Sequence, residues 1–178
     1  MPHEQAEQTV WLAATLTVST RCAAGTQEDR SGKLLGELVR GAGGQLVEHR
    51  VLPDDRTQIE HALRELATRV DVILTTGGTG ISPHDVTPEA TLAVIERRLS
   101  GVEAALHLAG CEQVPTAILS RGVAGVAGRC LIVNLPGSSG GVRDGMAVLS
   151  PVLAHAVRLI RGEVKDCQAE LGQGQPER

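Results

Sequence analysis

Aromatic side chains are almost missing: the 178 residues include no Phe, no Tyr and a single Trp, Trp11. A core without rings has to be built from Val, Leu, Ile and Ala, and platforms for stacking single-stranded nucleic acid bases are excluded. An excess of one charge is missing too. Lys and Arg number 17 against 21 Asp and Glu, a net charge of −4 with the basic residues scattered, so neither nucleic acid nor an anionic membrane is an expected partner. No long apolar run exists either. The longest, residues 10–14, is far short of a membrane span, and residues 1–8 are polar without the apolar centre of a secretory signal, which makes the cytoplasm the expected compartment. Cys22, Cys111, Cys130 and Cys167 form no Cys-x-x-Cys pair, which argues against a zinc knuckle or a dithiol redox motif, and reduced thiols are expected.

What is present is 42% hydrophobic content in a length that suits one domain, residues 1–178, with a core over about 10–161 and polar tails at 1–8 and 168–178. Residues 10–19 are apolar on both faces and predict a buried strand. Residues 31–40 carry Leu34, Leu35, Leu38 and Val39 at helical spacing, stopped by Gly41, Gly43 and Gly44. A second strand is expected over 45–52, a turn at Pro53-Asp54-Asp55, a helix over 57–70 and a short buried strand over 71–75. Thr87-Pro88-Glu89-Ala90 predicts a helix start with Thr87 as N-cap and Pro88 in the first helical position. The rest reads as a helix over 102–109 stopped by Gly110, a strand over 117–119, an irregular glycine-rich excursion over 122–128, and a buried strand over 131–135. A flexible loop at Pro136-Gly137-Ser138-Ser139-Gly140-Gly141 and a helix over 152–160 complete it. Strands alternating with helices predict a single α/β domain, a doubly wound three-layer arrangement with a mostly parallel sheet and ligands at the carboxyl ends of its strands.

Both glycine-rich loops fall at such ends. Thr75-Thr76-Gly77-Gly78-Thr79-Gly80 lacks the Gly-Lys-Ser/Thr of a phosphate-binding Walker loop and the third glycine of a dinucleotide fingerprint. Consecutive glycines nonetheless let backbone N–H groups approach an anion, Thr76 and Thr79 add hydroxyl donors, and the helix starting at Thr87 offers a positive end, all of which suits a phosphorylated ligand. A tight turn needing positive φ is the plainer alternative. Asp85 is either an ordinary acidic residue near a helix start or a magnesium ligand, with Asp54 or Asp55 able to supply a second carboxylate. Ser120-Arg121 presents a cation at a strand end or is a surface pair, and Ser138 and Ser139 form a second anion cradle or a plain loop. His84 is a phosphate contact or a solvated loop residue, and His49, His61, His107 and His155 are read as structural or exposed. No Ser, Cys or Lys has the local context of an activated nucleophile.

Taken together, Thr75-Thr76-Gly77-Gly78-Thr79-Gly80 and Asp85-Val86-Thr87-Pro88-Glu89-Ala90-Thr91 resemble the signature of the molybdopterin-binding family, which includes molybdopterin adenylyltransferases and the N-terminal domain of gephyrin. Glu28-Asp29-Arg30-Ser31-Gly32, Pro53-Asp54-Asp55, Leu119-Ser120-Arg121 and Val133-Asn134-Leu135-Pro136-Gly137-Ser138 are similar to further family motifs and fall in family order. The resemblance implies a cytoplasmic homotrimer that binds molybdopterin and Mg-ATP, transfers AMP to the terminal phosphate of molybdopterin, and releases pyrophosphate. A molybdenum-insertion partner would then take the product. It also implies Asp54 and Asp85 as the carboxylates for Mg2+ and catalysis; Thr76, Gly77, Gly78, Thr79 and Gly80 as the phosphate loop; and Ser19, Ser120, Arg121, Pro136, Gly137 and Ser138 as lining for pterin and nucleotide. Three departures stand out: Thr20 where many relatives have Asp, His84 where they have Arg, and Leu99-Ser100-Gly101-Val102-Glu103 in place of a segment that commonly reads Pro-Gly-Met. The second exchanges a permanent cation for an imidazole. A non-catalytic molybdopterin-binding protein of the same pathway is the alternative those departures raise.

Overall fold

The computed structural model describes residues 10–164, so the polar tails expected at 1–8 and 168–178, and Cys167, lie outside the described residues. In chain order these residues form β1 (Trp11–Val18), α1 (Thr20–Ala23), α2 (Arg30–Gly41), β2 (Gly44–Leu52), α3 (Arg56–Ala67), β3 (Val72–Thr76), α4 (Thr87–Leu92) and β4 (Arg97–Arg98). They continue with α5 (Ser100–Gln113), a 3-10 turn (Pro115–Leu119), β5 (Ala124–Ala127), β6 (Cys130–Leu135) and α6 (Ser139–Arg161). The sheet order is β2-β1-β3-β6-β5-β4. Its first four strands are mutually parallel and its last two antiparallel.

Alternation along each strand builds the three layers. Val72 and Leu74 of β3, with Leu131, Val133 and Leu135 of β6, pack on one face under α2 and α6, against Leu35, Val39, Met146, Leu149 and Leu153. Ile73 and Ile132 pack on the other with Leu16, under Ile59, Leu63 and Leu66 of α3 and Ala90 of α4. A polar knot sits inside the sheet where β3, β6 and α4 meet. The buried Asn134 donates through Nδ2 to Thr75 Oγ1 at 3.0 Å and Thr91 Oγ1 at 2.9 Å, while its Oδ1 accepts from Val123 N at 3.1 Å. Each amide atom is thereby satisfied, which is what allows it to be buried at all.

Several expectations need correction. The N-cap of α4 is Val86 and not Thr87, whose hydroxyl instead donates to the Gly77 carbonyl at 2.9 Å. Gly110 does not stop α5; the helix runs through it to Gln113, where the space of an absent side chain admits Ala117 Cβ, 3.1 Å from where a Gly110 Cβ would lie. Residues 117–119 are a 3-10 turn led by Pro115, not a strand. The expected irregular excursion over 122–128 contains β5, where a Cβ on Gly125 would come within 2.7 Å of the Arg97 carbonyl oxygen, so glycine serves the β4–β5 approach. The flexible loop ends at Ser138, because Ser138 caps α6 and that helix passes through Gly140, Gly141, Gly145 and Pro151. A Cβ on Gly145 would lie 2.5 Å from Leu135 Cδ2, so this glycine is a packing residue of the helix. The short elements α1 and β4 were not foreseen.

Arg50 of β2 fastens the sheet to α3 by a two-pronged contact with Glu65, at 2.7 and 2.8 Å. That guanidinium pulls the Glu65 carboxyl down from 4.5 to about 2. A depressed carboxyl contributes stability above its unfolded value and loses it as pH falls through the folded one. The pair should therefore hold at pH above 4.5 and fade toward pH 2. The stability difference between the native chain and Glu65→Gln, followed by urea melts monitored by circular dichroism, should shrink across that window; a constant difference would remove the pair from the acid response.

Candidate functional site

The four parallel strands all end at one edge of the sheet, and a candidate residue follows each within two positions: Ser19 after β1, Asp54 after β2, Gly77 after β3 and Pro136 after β6. Those ends are stitched together. Ser19 N donates to Leu52 O at 2.8 Å, Gly77 N to Leu135 O at 3.2 Å, and Thr76 Oγ1 to Pro136 O at 2.7 Å. Gly77 and Gly78 take φ of +97° and +63°, the left-handed region that favours glycine. A Cβ on Gly77 would lie 2.3 Å from Val18 O, and one on Gly78 would lie 2.4 Å from Thr87 Oγ1 and 3.5 Å from Asp54 Oδ1. The missing side chains are what let two strand ends and a carboxylate crowd the same space.

Both carboxylates are tethered by one oxygen. Asp54 Oδ2 accepts from Thr20 N at 2.8 Å and from Thr20 Oγ1 at 2.7 Å, and Asp54 N returns a bond to Thr20 Oγ1 at 3.1 Å. Asp85 Oδ2 accepts from Ser82 N at 2.9 Å and lies 2.8 Å from where a Gly80 Cβ would sit. Neither Oδ1 has a hydrogen-bond partner among the described residues. Among the described residues no cluster of three or more His, Cys, Asp or Glu is gathered to hold a metal alone. Two half-free carboxylates instead fit a hard cation such as Mg2+ that completes its shell with substrate phosphates and water. The amides of Gly78, Thr79 and Gly80 likewise have no acceptor among the described residues, which leaves a short row of donors.

Two cavities open at this edge. One, of about 860 Å³, is walled by Ser19, Thr20, Asp54, Thr76 and Gly77. The other, of about 500 Å³, is walled by Thr79, Gly80, Ser120, Pro136 and α5 residues including Leu106 and His107. Gly78, Asp85, Gly137 and Ser138 belong to both, so the cavities meet along one wall. Every expected site residue lines one cavity or the other except Asp55, which caps α3 by accepting from Gln58 N at 2.9 Å, and Arg121. Its Nε donates to Gly80 O at 2.7 Å, its Nη2 to Asp85 O at 2.8 Å, and its Nη1 pairs with Glu89. A guanidinium engaged in this way is not aimed at a ligand.

Other expected groups also have local duties. Ser19 accepts from Cys22 N at 3.3 Å and Ser138 from Gly141 N at 3.0 Å, as helix caps. At the positive end of α4, Thr87 N is turned onto the loop, donating to Gly78 O at 3.1 Å. His49 is structural, as expected: its ring bridges Thr15 Oγ1 at 2.7 Å and Asp29 Oδ2 at 2.9 Å. Sequence reasoning missed the α5 wall, His107 included, because α5 buries no residue and shows no apolar stripe.

A family model described as "probable molybdopterin binding domain" matches residues 14–155. The molybdopterin adenylyltransferase of Helicobacter pylori is 35% identical over 159 residues, covering 87% of this chain and 90% of that protein. The molybdenum cofactor synthesis protein cinnamon of Drosophila melanogaster is 40% identical over 153 residues, covering 84% of this chain, which spans only 25% of that longer protein. Among solved structures, the molybdopterin biosynthesis enzyme MoaB of Thermus thermophilus superposes with a TM-score of 0.80 at 40% identity, covering 85% of this chain and 97% of that one.

The crowding at Gly77 makes a contrast testable. Gly77→Ala should lower stability by about 2–4 kcal/mol, since it combines a left-handed φ with a clash against a backbone oxygen that cannot move aside. Gly137→Ala, whose Cβ would meet Gly77 Cα at 3.2 Å and nothing closer, should cost under about 1 kcal/mol. Chemical denaturation of the two variants reads the difference, and equal costs would show that the Val18 contact does not hold the loop.

Proposed function

The chain belongs to the molybdopterin-binding domain family, and on that premise we propose that it is a molybdopterin adenylyltransferase of molybdenum cofactor biosynthesis. It joins AMP from ATP to the terminal phosphate of molybdopterin and releases pyrophosphate. The observation that carries this reading is the wall shared by two cavities, formed by Gly78, Asp85, Gly137 and Ser138. A transferase needs two substrates bound at once with their reacting phosphates adjacent, and one substrate in each cavity meets that need.

The chemistry asks little of side chains. A phosphate monoester has its second pKa near ~6, so at neutral pH the molybdopterin phosphate is already an anionic nucleophile without a general base. Its oxygen forms a bond to the α-phosphorus of ATP as the bond from that phosphorus to the bridging oxygen breaks, and the electron pair leaves with pyrophosphate. Asp54 and Asp85 would hold Mg2+, which would supply neutralisation of the phosphate charge. The free amides of Gly78, Thr79 and Gly80 orient phosphate oxygens, and Gly137 and Ser138 position the second substrate against them. The reading extends to assembly: α5 and the turn after it leave Leu108, Val114, Ile118 and Leu119 exposed at 66%, 52%, 65% and 48%, which suits contact with further copies in a homotrimer.

The alternative, a non-catalytic molybdopterin-binding protein, draws on His84 at the first cavity's wall. Incubation with molybdopterin, ATP and Mg2+ should release pyrophosphate in an amount equal to the adenylylated product, and omission of any one of the three should abolish it. Asp54→Asn and Asp85→Asn should each lower the rate by about 10²-fold or more, as expected for groups that organise transition-state charge. Retained molybdopterin binding with no pyrophosphate from the native chain would decide for the binding protein.

A further inference from the structure

Arg121 stands just after the 3-10 turn, and its contacts all fall on one short stretch of the first glycine loop and α4. Its main-chain N donates to Thr79 O at 2.8 Å. The guanidinium then spans the loop, with Nε on Gly80 O at 2.7 Å, Nη2 on Asp85 O at 2.8 Å and Nη1 on the Glu89 carboxylate. Glu89 Oε2 is buried without a hydrogen bond among the described residues, and Arg121, paired with the other oxygen of that carboxylate, is the nearest cation balancing its charge. Gly80 and Asp85 are the two ends of the segment whose inner turn, Ser82 N to Asp85 Oδ2, orients the Asp85 carboxylate. One planar fork thereby fixes both ends of that segment and ties it to α4. An ammonium, a single point charge, does not offer three donors in such directions.

We propose that Arg121 is a positioning residue: by bridging the carbonyls of Gly80 and Asp85 it holds Asp85 where its free Oδ1 meets the metal-nucleotide. This rests on the reading of Asp85 as a metal-holding carboxylate given above. The role is indirect, like that of partners which orient metal ligands without touching the metal.

The test compares Arg121→Lys and Glu89→Gln with the native chain, each first shown by circular dichroism to be folded. Two quantities are read: the affinity for Mn2+-ATP by electron paramagnetic resonance, and the steady-state kinetics of pyrophosphate release. Arg121→Lys should weaken Mn2+-ATP binding about tenfold and lower kcat about 10²-fold while leaving the KM for molybdopterin within about threefold, the split expected for a misplaced metal carboxylate. Glu89→Gln, which leaves both carbonyl contacts in place, should keep both quantities within about threefold. Unchanged Mn2+-ATP affinity in Arg121→Lys would overturn the proposal, as would a loss in Glu89→Gln equal to that in Arg121→Lys, which would assign the effect to charge neutralisation. A native chain that binds Mn2+-ATP but releases no pyrophosphate would fail the transferase reading alone, and the affinity comparison would still decide the role of Arg121.

Discussion

The close approach of the β3 end to the β1 end governs the rest of this structure. Val18 O occupies the place where any side chain on residue 77 would begin, and Leu135 O accepts the Gly77 amide from the opposite side. Three neighbouring strand ends, of β1, β3 and β6, are thereby drawn to one point. Each loop that follows must leave from that point, which is why the residues that follow the strands face the same two cavities. Remove the constraint, and the carboxylates and amides would lose their common reference frame.

On that frame the two carboxylates are held by short-range means. Asp54 is anchored by Thr20, the first residue of α1, and Asp85 by an amide only three residues before it. Thr20 is one of the positions at which the sequence was expected to depart from the family pattern. Its hydroxyl and amide both donate to Asp54, so the side chain adds a second tether to the one that the backbone supplies. Beneath the site, Asn134 joins β6 to Thr75 of β3 and Thr91 of α4 with its amide fully bonded. The site thus sits on a floor whose polar groups have no freedom to choose other partners.

Much of this was legible before any coordinates. Residues 10–19 announce a buried strand because both faces are apolar, residues 71–75 a short buried one, and residues 45–52 a strand whose polar positions alternate with apolar ones, as its half-exposed burial bears out. The second half of the chain was harder for one physical reason: its glycines serve packing, not flexibility. Gly125 lets β4 approach β5 and Gly145 seats α6 on Leu135, so a composition that resembles loop belongs to a strand and a long helix. Arg121 shows a different limit. Sequence can place a cation beside a site, but only geometry shows that three backbone and side-chain acceptors already engage each of its three nitrogens.

If the chain is the transferase proposed above, its lack of an activated Ser, Cys or Lys has a simple account. When both substrates bring phosphates, nucleophile and leaving group are anions from the start, and the obstacle is their mutual repulsion and not a missing base. On the proposed reading, amides on a crowded glycine turn, two half-tethered carboxylates that would hold a cation, and an Arg that stiffens the turn all act on that obstacle. Each needs rigid placement more than reactivity. A sheet edge where strand ends are locked by backbone contacts supplies such placement, so the residues that organise the chemistry are largely those that also hold the fold together there.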